Sequence, residues 1–485
     1  MACPQNAIVR RPFWHNPLNR SPLSLSLRVD IQSAELRRHA QSVARLAEAL
    51  EQAEDFPNKT AREFCALIRA SAKLIYDRIA TAPPDRLPHI HVLLSALGED
   101  LRYPERSRIE HTPWSLVQAM ETFLQSKVGS QYRFIIRPQW SYNYAIVGDL
   151  LATYRGFFSS FPDWITVDEW HAAIGELSSF QIFSISFPRV EKMNVLTHAT
   201  WGHEVGHILI SEWMAKHFDD FWQKGAQEIE AAIRVHVEEE LKTPTFLVEE
   251  VVATYLNDTL FLTRQSLKEL ISDAVGAHFL GPAALASLCE FSCRFDLDEN
   301  PVEGGGYPPW RFRLRKLGKI VLPTLKDAPT DQWNPSLRKY VAWLGDWEQI
   351  TNSDADTVAI KSDVRSRKAY ELLEENYETI RAQVVGQLRP ELQVPYALDA
   401  RFGDIGELIE RIDLGVPPNE TGIWPNTIPA DMADIWNAAW ASKVSRFAEN
   451  SGAEFDEYLN MLFQLTLKAI EASYVHTSFG PLLDR

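Results

Sequence analysis

Cysteine is scarce in this sequence, four residues in 485, and basic residues are outnumbered by acidic ones, 49 to 65. The four cysteines (Cys3, Cys65, Cys289 and Cys293) do not make the disulfide framework that staples small secreted domains. Cys289 and Cys293 fall on successive turns of one expected helix, and a zinc ribbon would need a second close pair that the chain lacks. The cysteines read as buried free thiols. The net charge of −16 leaves out the basic surplus that nucleic-acid binding draws on, so no nucleic-acid partner is expected. One basic run exists, Arg311, Arg313, Arg315, Lys316 and Lys319, and it reads as the solvated face of a short helix. No apolar run approaches the roughly 18–20 residues that cross a bilayer, and Arg10, Arg11, Pro12 and His15 stand where a secretory signal would be apolar. No membrane partner is expected, and the setting reads as cytoplasmic. Internal repeats of fixed period and low-complexity segments are also missing.

At 485 residues the chain is too long for one hydrophobic core. With 15 Trp and 24 Phe it has the large apolar side chains to build more than one. Residues 1 to about 30, rich in Pro, Arg and Ser, predict an extended arm. Over 33–53, Leu36, Ala40, Val43, Ala47 and Leu50 recur at three- and four-residue spacing, one apolar stripe of a helix. A second stripe over 60–82 carries Phe64, Ile68, Ile75 and Ile79 and stops at Pro83-Pro84. Shorter helices are expected near 91–101 and 114–127. The texture changes near Gln131, where Tyr132, Phe134 and Ile136 alternate like a strand, and 180–187 alternates again before Pro188. Helical patterns then occupy a segment starting near Asn194 and the ranges 222–242, 246–263, 265–280 and 282–293. A Gly/Pro loop spans 304–309, and further helices follow at 362–388, 430–450 and 453–474. The expected fold is mostly α, of α+β class with a small sheet. Three segments follow from the texture: an N-terminal arm and helical domain at 1–130, a mixed domain at 131–320 and a C-terminal helical domain at 321–485.

The string that carries chemistry is Thr200-Trp-Gly-His203-Glu204-Val-Gly-His207-Ile-Leu209. Histidines four apart on a helix project from one face, so both imidazoles can reach a single ion. Glu204, between them, is set back from that ion but can reach a water on it, the position of a general base. The surrounding residues are uncharged from Thr200 to Gly202, at Val205 and Gly206 and at Ile208–Ile210, as expected of a helix buried in a core. A catalytic zinc has three protein ligands and one open position. Two glutamates compete for third ligand: Glu269, and Glu250 or its neighbour Glu249. A third histidine is excluded, because Ile210 and Trp213 hold the positions where Gly and His would be needed.

His203-Glu204-x-x-His207 with Glu269-x-x-x-Asp273 resembles the gluzincins, zinc peptidases with two histidine ligands and one downstream glutamate. The run Glu269–Asp273 is similar to the thermolysin-type second motif, with Lys268 in place of the usual Asn. Tyr307-Pro308-Pro309 followed by Arg313 and Leu317 is similar to a His-Pro-Pro…Arg…Leu segment of CaaX-type and heat-shock-type membrane endopeptidases. Tyr stands here for their His, and their membrane helices have no counterpart. The resemblance covers roughly 178–320 and implies a zincin-like core within 131–320, with Zn2+ held by His203, His207 and Glu269. It also implies Glu204 as general base and Asp273 as the acceptor that orients a ligand histidine. One physical argument favours Glu269 over Glu250 independently. Asp273 lies one turn further along the same helix face, and a buried Glu–Asp pair is costly without a cation.

An oxyanion would need a partner, for which Tyr307, His278 and Tyr255 are candidates. His198, five residues before His203, points away from the ion and suits a helix start or the surface. The strand at 180–187 is either a sheet edge to which a substrate peptide adds or an ordinary internal strand. The expected function is hydrolysis of peptide bonds in a protein or peptide substrate. The alternatives are a zinc-binding sensor or interaction module with little catalysis, and zinc hydrolysis of a non-peptide amide.

Overall fold

The structure is a computed structural model that describes residues 25–326, 330–352, 357–423, 426–447 and 452–483. It is mostly α-helical with a small sheet. No described helix is long and apolar enough to cross a membrane. The chain forms two compact units, each drawing on separated stretches: 1–117, 130–138 and 147–186 in one, and 118–129, 139–146 and 187–485 in the other. Compactness thus divides the chain differently from the texture at 1–130, 131–320 and 321–485.

In the first unit the stripe that predicted the first helix is its buried face. Ala40 and Ala47 have no exposure and Leu36 and Val43 almost none. They pack with Phe64, Ile68 and Ile75 of helix Lys59–Arg78 and with Leu94 and Leu97 of helix Leu87–Asp100. The first helix begins at Leu25, earlier than its stripe. Residues 25–30 are therefore helical and not part of an extended arm, and 1–24 of that expected arm lie outside the described residues. Two further helices outside the expected set, Leu150–Ser160 and Val167–Ile174, add Tyr154, Phe158 and Trp170 to the core. The second starts with a capping box, Thr166 accepting from the Glu169 N–H while the Glu169 carboxylate accepts from the Thr166 N–H.

Strands β1 (Tyr132–Gln139), β2 (Ala145–Val147) and β3 (Gln181–Pro188) form a three-stranded sheet in the order β1-β3-β2. The expected strand at 180–187 is therefore the central one, with neighbours on both sides. It is an internal strand and cannot be the edge to which a substrate adds.

The second unit is organised by two long helices. The histidine motif opens a helix of 35 residues, Trp201–Val235, entered through a 3-10 turn at Thr197–Thr200. The expected helices at 246–263 and 265–280 are one helix of 33 residues, Val248–Leu280, ended by Gly281 at φ +58. These two helices meet at backbone distance. A Cβ placed on Gly206 would lie 2.5 Å from the Ser272 Cα, and one on Gly276 would lie 3.1 Å from the His203 nitrogen. Gly202 faces Gly276 at 3.2 Å in the same way. Small residues at four-residue spacing on both helices, Gly202/Gly206 against Ser272/Gly276, remove the side chains that would hold them apart.

The C-terminal stretch is built into this unit. Helix Val364–Val385 packs on both long helices, with Leu372 against Gly225, Trp213 Nε1 donating to Gln383 Oε1 at 2.8 Å, and the Ser266 and Tyr370 hydroxyls 2.8 Å apart. From helix Met432–Phe447, Trp436 donates to the Val195 carbonyl and Asn437 to the Leu280 carbonyl. These bonds tie that helix to the start of one long helix and the end of the other.

A Gly206→Ala substitution should lower stability by about 1–3 kcal/mol, the usual scale for forced overpacking, because the new methyl meets backbone. Gly225→Ala serves as control. Its methyl meets only the end of the flexible Leu372 side chain, and the gain in helix propensity offsets part of that contact. Urea unfolding of the two variants compares them, and equal midpoints would show that the two helices separate at no cost.

Candidate metal centre

His203 and His207 lie on consecutive turns of helix Trp201–Val235, their rings 4.6 Å apart and nearly perpendicular. Glu269, on the facing helix, places Oε2 at 3.4 Å from His203 Nε2 and Oε1 at 3.6 Å from His207 Nε2. One ligand atom from each of the three residues lies within 4.8 Å of the others. Ligands bound at about 2.0–2.1 Å on a tetrahedral zinc sit about 3.3 Å from one another, which is the scale of these separations and long for hydrogen bonds. The donor set, two imidazoles and one carboxylate, therefore fits a metal ion such as zinc.

Asp273 accepts a hydrogen bond from His203 Nδ1 at 2.7 Å, which turns Nε2 to the cluster, a lone-pair nitrogen once the ring is neutral. Arg313, from helix Trp310–Val321, sits over the Trp310 ring and reaches both acids. It donates to Asp273 at 2.9 and 2.8 Å and lies 3.2 Å from Glu269 Oε2. Arg313 is 5% exposed and Lys316 7%. The basic run is thus not simply a solvated face, and Arg313 supplies a cation for the Glu–Asp pair that the sequence argument had left to a metal. Its sequence signal is position, because Arg313 lies one turn before the buried Leu317 on the same helix face.

Burial alone would raise the pKa of Glu269 and Asp273, but Arg313 and His203 outweigh it, with His207 adding to the effect on Glu269, so Glu269 is held well below the usual carboxylate range and Asp273 is lowered too. Burial alone would lower that of His203, but Asp273 and Glu269 carry it up to about 10. His207 falls to about 4, because burial dominates and Glu269 only partly offsets it. Glu204 is 3% exposed, and burial, with Glu269 adding to it, pushes its carboxyl up to about 7. The Ile146 backbone N–H of β2 donates to that carboxylate. The charges close in two ways. With Glu269 and Asp273 ionised and Arg313 charged, a proton on His203 brings the cluster to neutrality. A dication in place of that proton overshoots by one, and ionised Glu204 restores the balance.

The other candidates separate. Tyr307 is 48% exposed, and partial burial together with the charges of Glu269 and Glu204 raises its pKa. His278 is buried and donates from Nε2 to the Leu392 carbonyl at 2.7 Å, as a satisfied core histidine does. Tyr255 lies 14 residues before Glu269 on one helix, about 21 Å along its axis, with Arg365 against its ring. It cannot serve the same ion. Glu250, 19 residues before Glu269 or about 28 Å, is exposed, and Glu249 pairs with Arg234. His198 belongs to the 3-10 turn that starts the motif helix but is wholly buried, stacked on Trp201 and 2.9 Å from the Tyr144 hydroxyl, so the surface alternative does not hold. Cys65 and Cys289 are buried free thiols, whereas Cys293 is exposed. Cys3 lies outside the described residues.

Zinc titration should separate the glutamates. Glu269→Gln loses tight binding, Asp273→Asn weakens it about 10–100-fold, and Glu250→Gln matches wild type. Affinity should also climb with pH. Because His203 holds a proton up to about pH 10 without the ion, binding between pH 7 and 9 releases about one proton and tightens roughly tenfold per pH unit. Below about pH 7, where Glu204 is also protonated, the slope steepens. A flat profile over pH 6–9 would contradict the charge balance described above. In comparisons with protein families, curated proteins and solved structures, nothing matches this chain.

Proposed function

We propose that the protein is a zinc-dependent peptidase of gluzincin type, with a zincin-like catalytic core that includes the motif helix and the Glu269 helix. The observation that carries this reading is the meeting of three donors at zinc-ligand separations with a further side chain, the acid Glu204, on the motif helix and outside the ligand set. When bound, zinc polarises a substrate carbonyl and lowers the pKa of a coordinated water towards about 7. Glu204 takes the proton of the attacking water at its carboxylate and returns it to the leaving nitrogen. The Ile146 N–H holds that carboxylate in place. Asp273 fixes the tautomer of His203. The Tyr307 hydroxyl, raised above its ordinary pKa and so kept protonated, donates to the developing oxyanion.

The substrate in this reading is a protein or peptide. Its extended backbone lies along β2, an edge strand of the sheet and the strand that contacts Glu204. Free thiols at Cys65, Cys289 and Cys293 suit a reducing compartment such as the cytoplasm. One observation favours the rival reading of a binding or sensing module. With Arg313 in place the cluster is already neutral when His203 is protonated, so it can persist without a metal.

Glu204→Gln separates the two readings. The variant should keep about one zinc per chain and lose hydrolysis, which is measured as new protein termini in cells expressing wild type against the variant. Termini that are equally abundant in both would remove Glu204 from the mechanism. Tyr307→Phe should leave zinc affinity unchanged and slow turnover by roughly 10²–10³-fold, the scale of losing one oxyanion donor. Wild-type turnover in that variant would pass the role to a backbone amide, because His278 and Tyr255 are engaged elsewhere.

A further inference from the structure

Side chains alternate along β1, and on the face that carries Ile135 the next position is Arg137. Ile135, and Ile182 on β3, are buried in the core of the first unit. Arg137 continues that row with only 8% exposure, where an apolar side chain is the ordinary occupant. Its guanidinium lies over the Tyr103 ring, 4.9 Å from the centroid, and Nε donates to Ser184 Oγ at 3.0 Å. That is its one hydrogen bond among the described residues, and no described carboxylate forms an ion pair with it. The charges nearest to it have the same sign, Arg106 and Arg102 of the short helix Arg102–Arg106. Arg102 also donates to the Tyr103 hydroxyl and feels Asp100 and Glu99, so its charge is partly offset. Arg106 is exposed and has no ion pair among the described residues.

A buried cation without a counter-ion is costly. Burial and the two arginines depress its pKa to about 10, an unusual value for a guanidinium. Arg313, more fully buried, has two carboxylates and is shifted the opposite way. The two terminal amino groups of Arg137 are not sealed from solvent, so a small ion can reach them. Ser184 accepts from Arg137, which leaves its own O–H proton free to donate.

We propose that Arg137, Arg106 and the Ser184 hydroxyl, with Arg102 at the rim, form a binding site for a phosphate-class oxyanion. A guanidinium presents its two terminal N–H groups as a fork that matches two oxygens of such an anion. Two positive charges without partners match a dianionic phosphate better than a monoanionic carboxylate. The site lies wholly within the first unit and uses none of the metal-centre residues.

The test is thermal unfolding and calorimetric titration of the full chain with inorganic phosphate, glycerol phosphate and acetate at constant ionic strength. Wild type should show a saturable rise in unfolding temperature with phosphate or its ester and a much smaller one with acetate. Arg137→Met should bind phosphate at least tenfold more weakly. In phosphate-free buffer it should unfold at or above the wild-type temperature, because it removes an unpaired buried charge. Arg106→Gln, on an exposed side chain that leaves the fold intact, should weaken binding several-fold, and it decides the matter if Arg137→Met does not fold. His203→Ala should keep the response, which separates this site from the metal centre. Tighter binding of the ester identifies a phosphorylated molecule as ligand, and tighter binding of inorganic phosphate identifies the free ion. No saturable response in wild type, an undiminished response in the arginine variants, loss in His203→Ala, or an equal response to acetate would each overturn the proposal.

Discussion

Two helix backbones touch in the second unit, and the candidate metal centre depends on that contact. Gly202 and Gly206 alternate with the histidines, each one residue before its partner, so one face of the motif helix is bare while the adjacent face carries the imidazoles. The bare face lies against Ser272 and Gly276, one turn and two turns beyond Glu269, with Asp273 next to Ser272. Only at such a short separation can a glutamate on one helix come within 3.4–3.6 Å of both imidazoles on the other while an aspartate reaches the outer nitrogen of one of them. The glycines and the histidines therefore work together, one pair setting the distance between the helices and the other using it.

The second constraint is electrostatic. Bringing Glu269 and Asp273 together in a buried place concentrates negative charge where water cannot screen it. Arg313 meets both acids, and the geometry makes it a brace as well as a charge, because its nitrogens hold Asp273 on two sides and Glu269 Oε2 on a third. Glu269 Oε1 lies toward His207. The helix that delivers Arg313 packs on helix Val364–Val385 through Phe312 and Tyr370, and Lys316 pairs with Glu374. In this way the C-terminal part of the chain supports the centre without entering it.

The two buried arginines show how differently one residue type can be placed. Arg313 completes a charge balance inside the protein, and Arg137 leaves one open. The contrast lies in the partners that the fold brings to each.

The sequence alone determined those features that repeat along the backbone or sit within one turn of it. The stripes at Leu36–Ala47 and Phe64–Ile79 followed from helical spacing, and β1 and β3 followed from alternation. The pairing of His203 with His207, and of Glu269 with Asp273, followed because four residues along a helix return to the same face. Tertiary structure decided everything that depends on segments distant in sequence. It joined 246–263 to 265–280 as one helix, which separated Glu250 and Tyr255 from Glu269 by several turns. It made β3 a central strand, because strand order is set by which partners arrive on each side and alternation is the same for an edge or an interior strand. It buried His198, turned His278 to the Leu392 carbonyl and drew Arg313 out of an apparently solvated run. A charged side chain reads as surface until a buried partner far along the chain gives it a reason to be inside, and only the folded chain brings that partner to it.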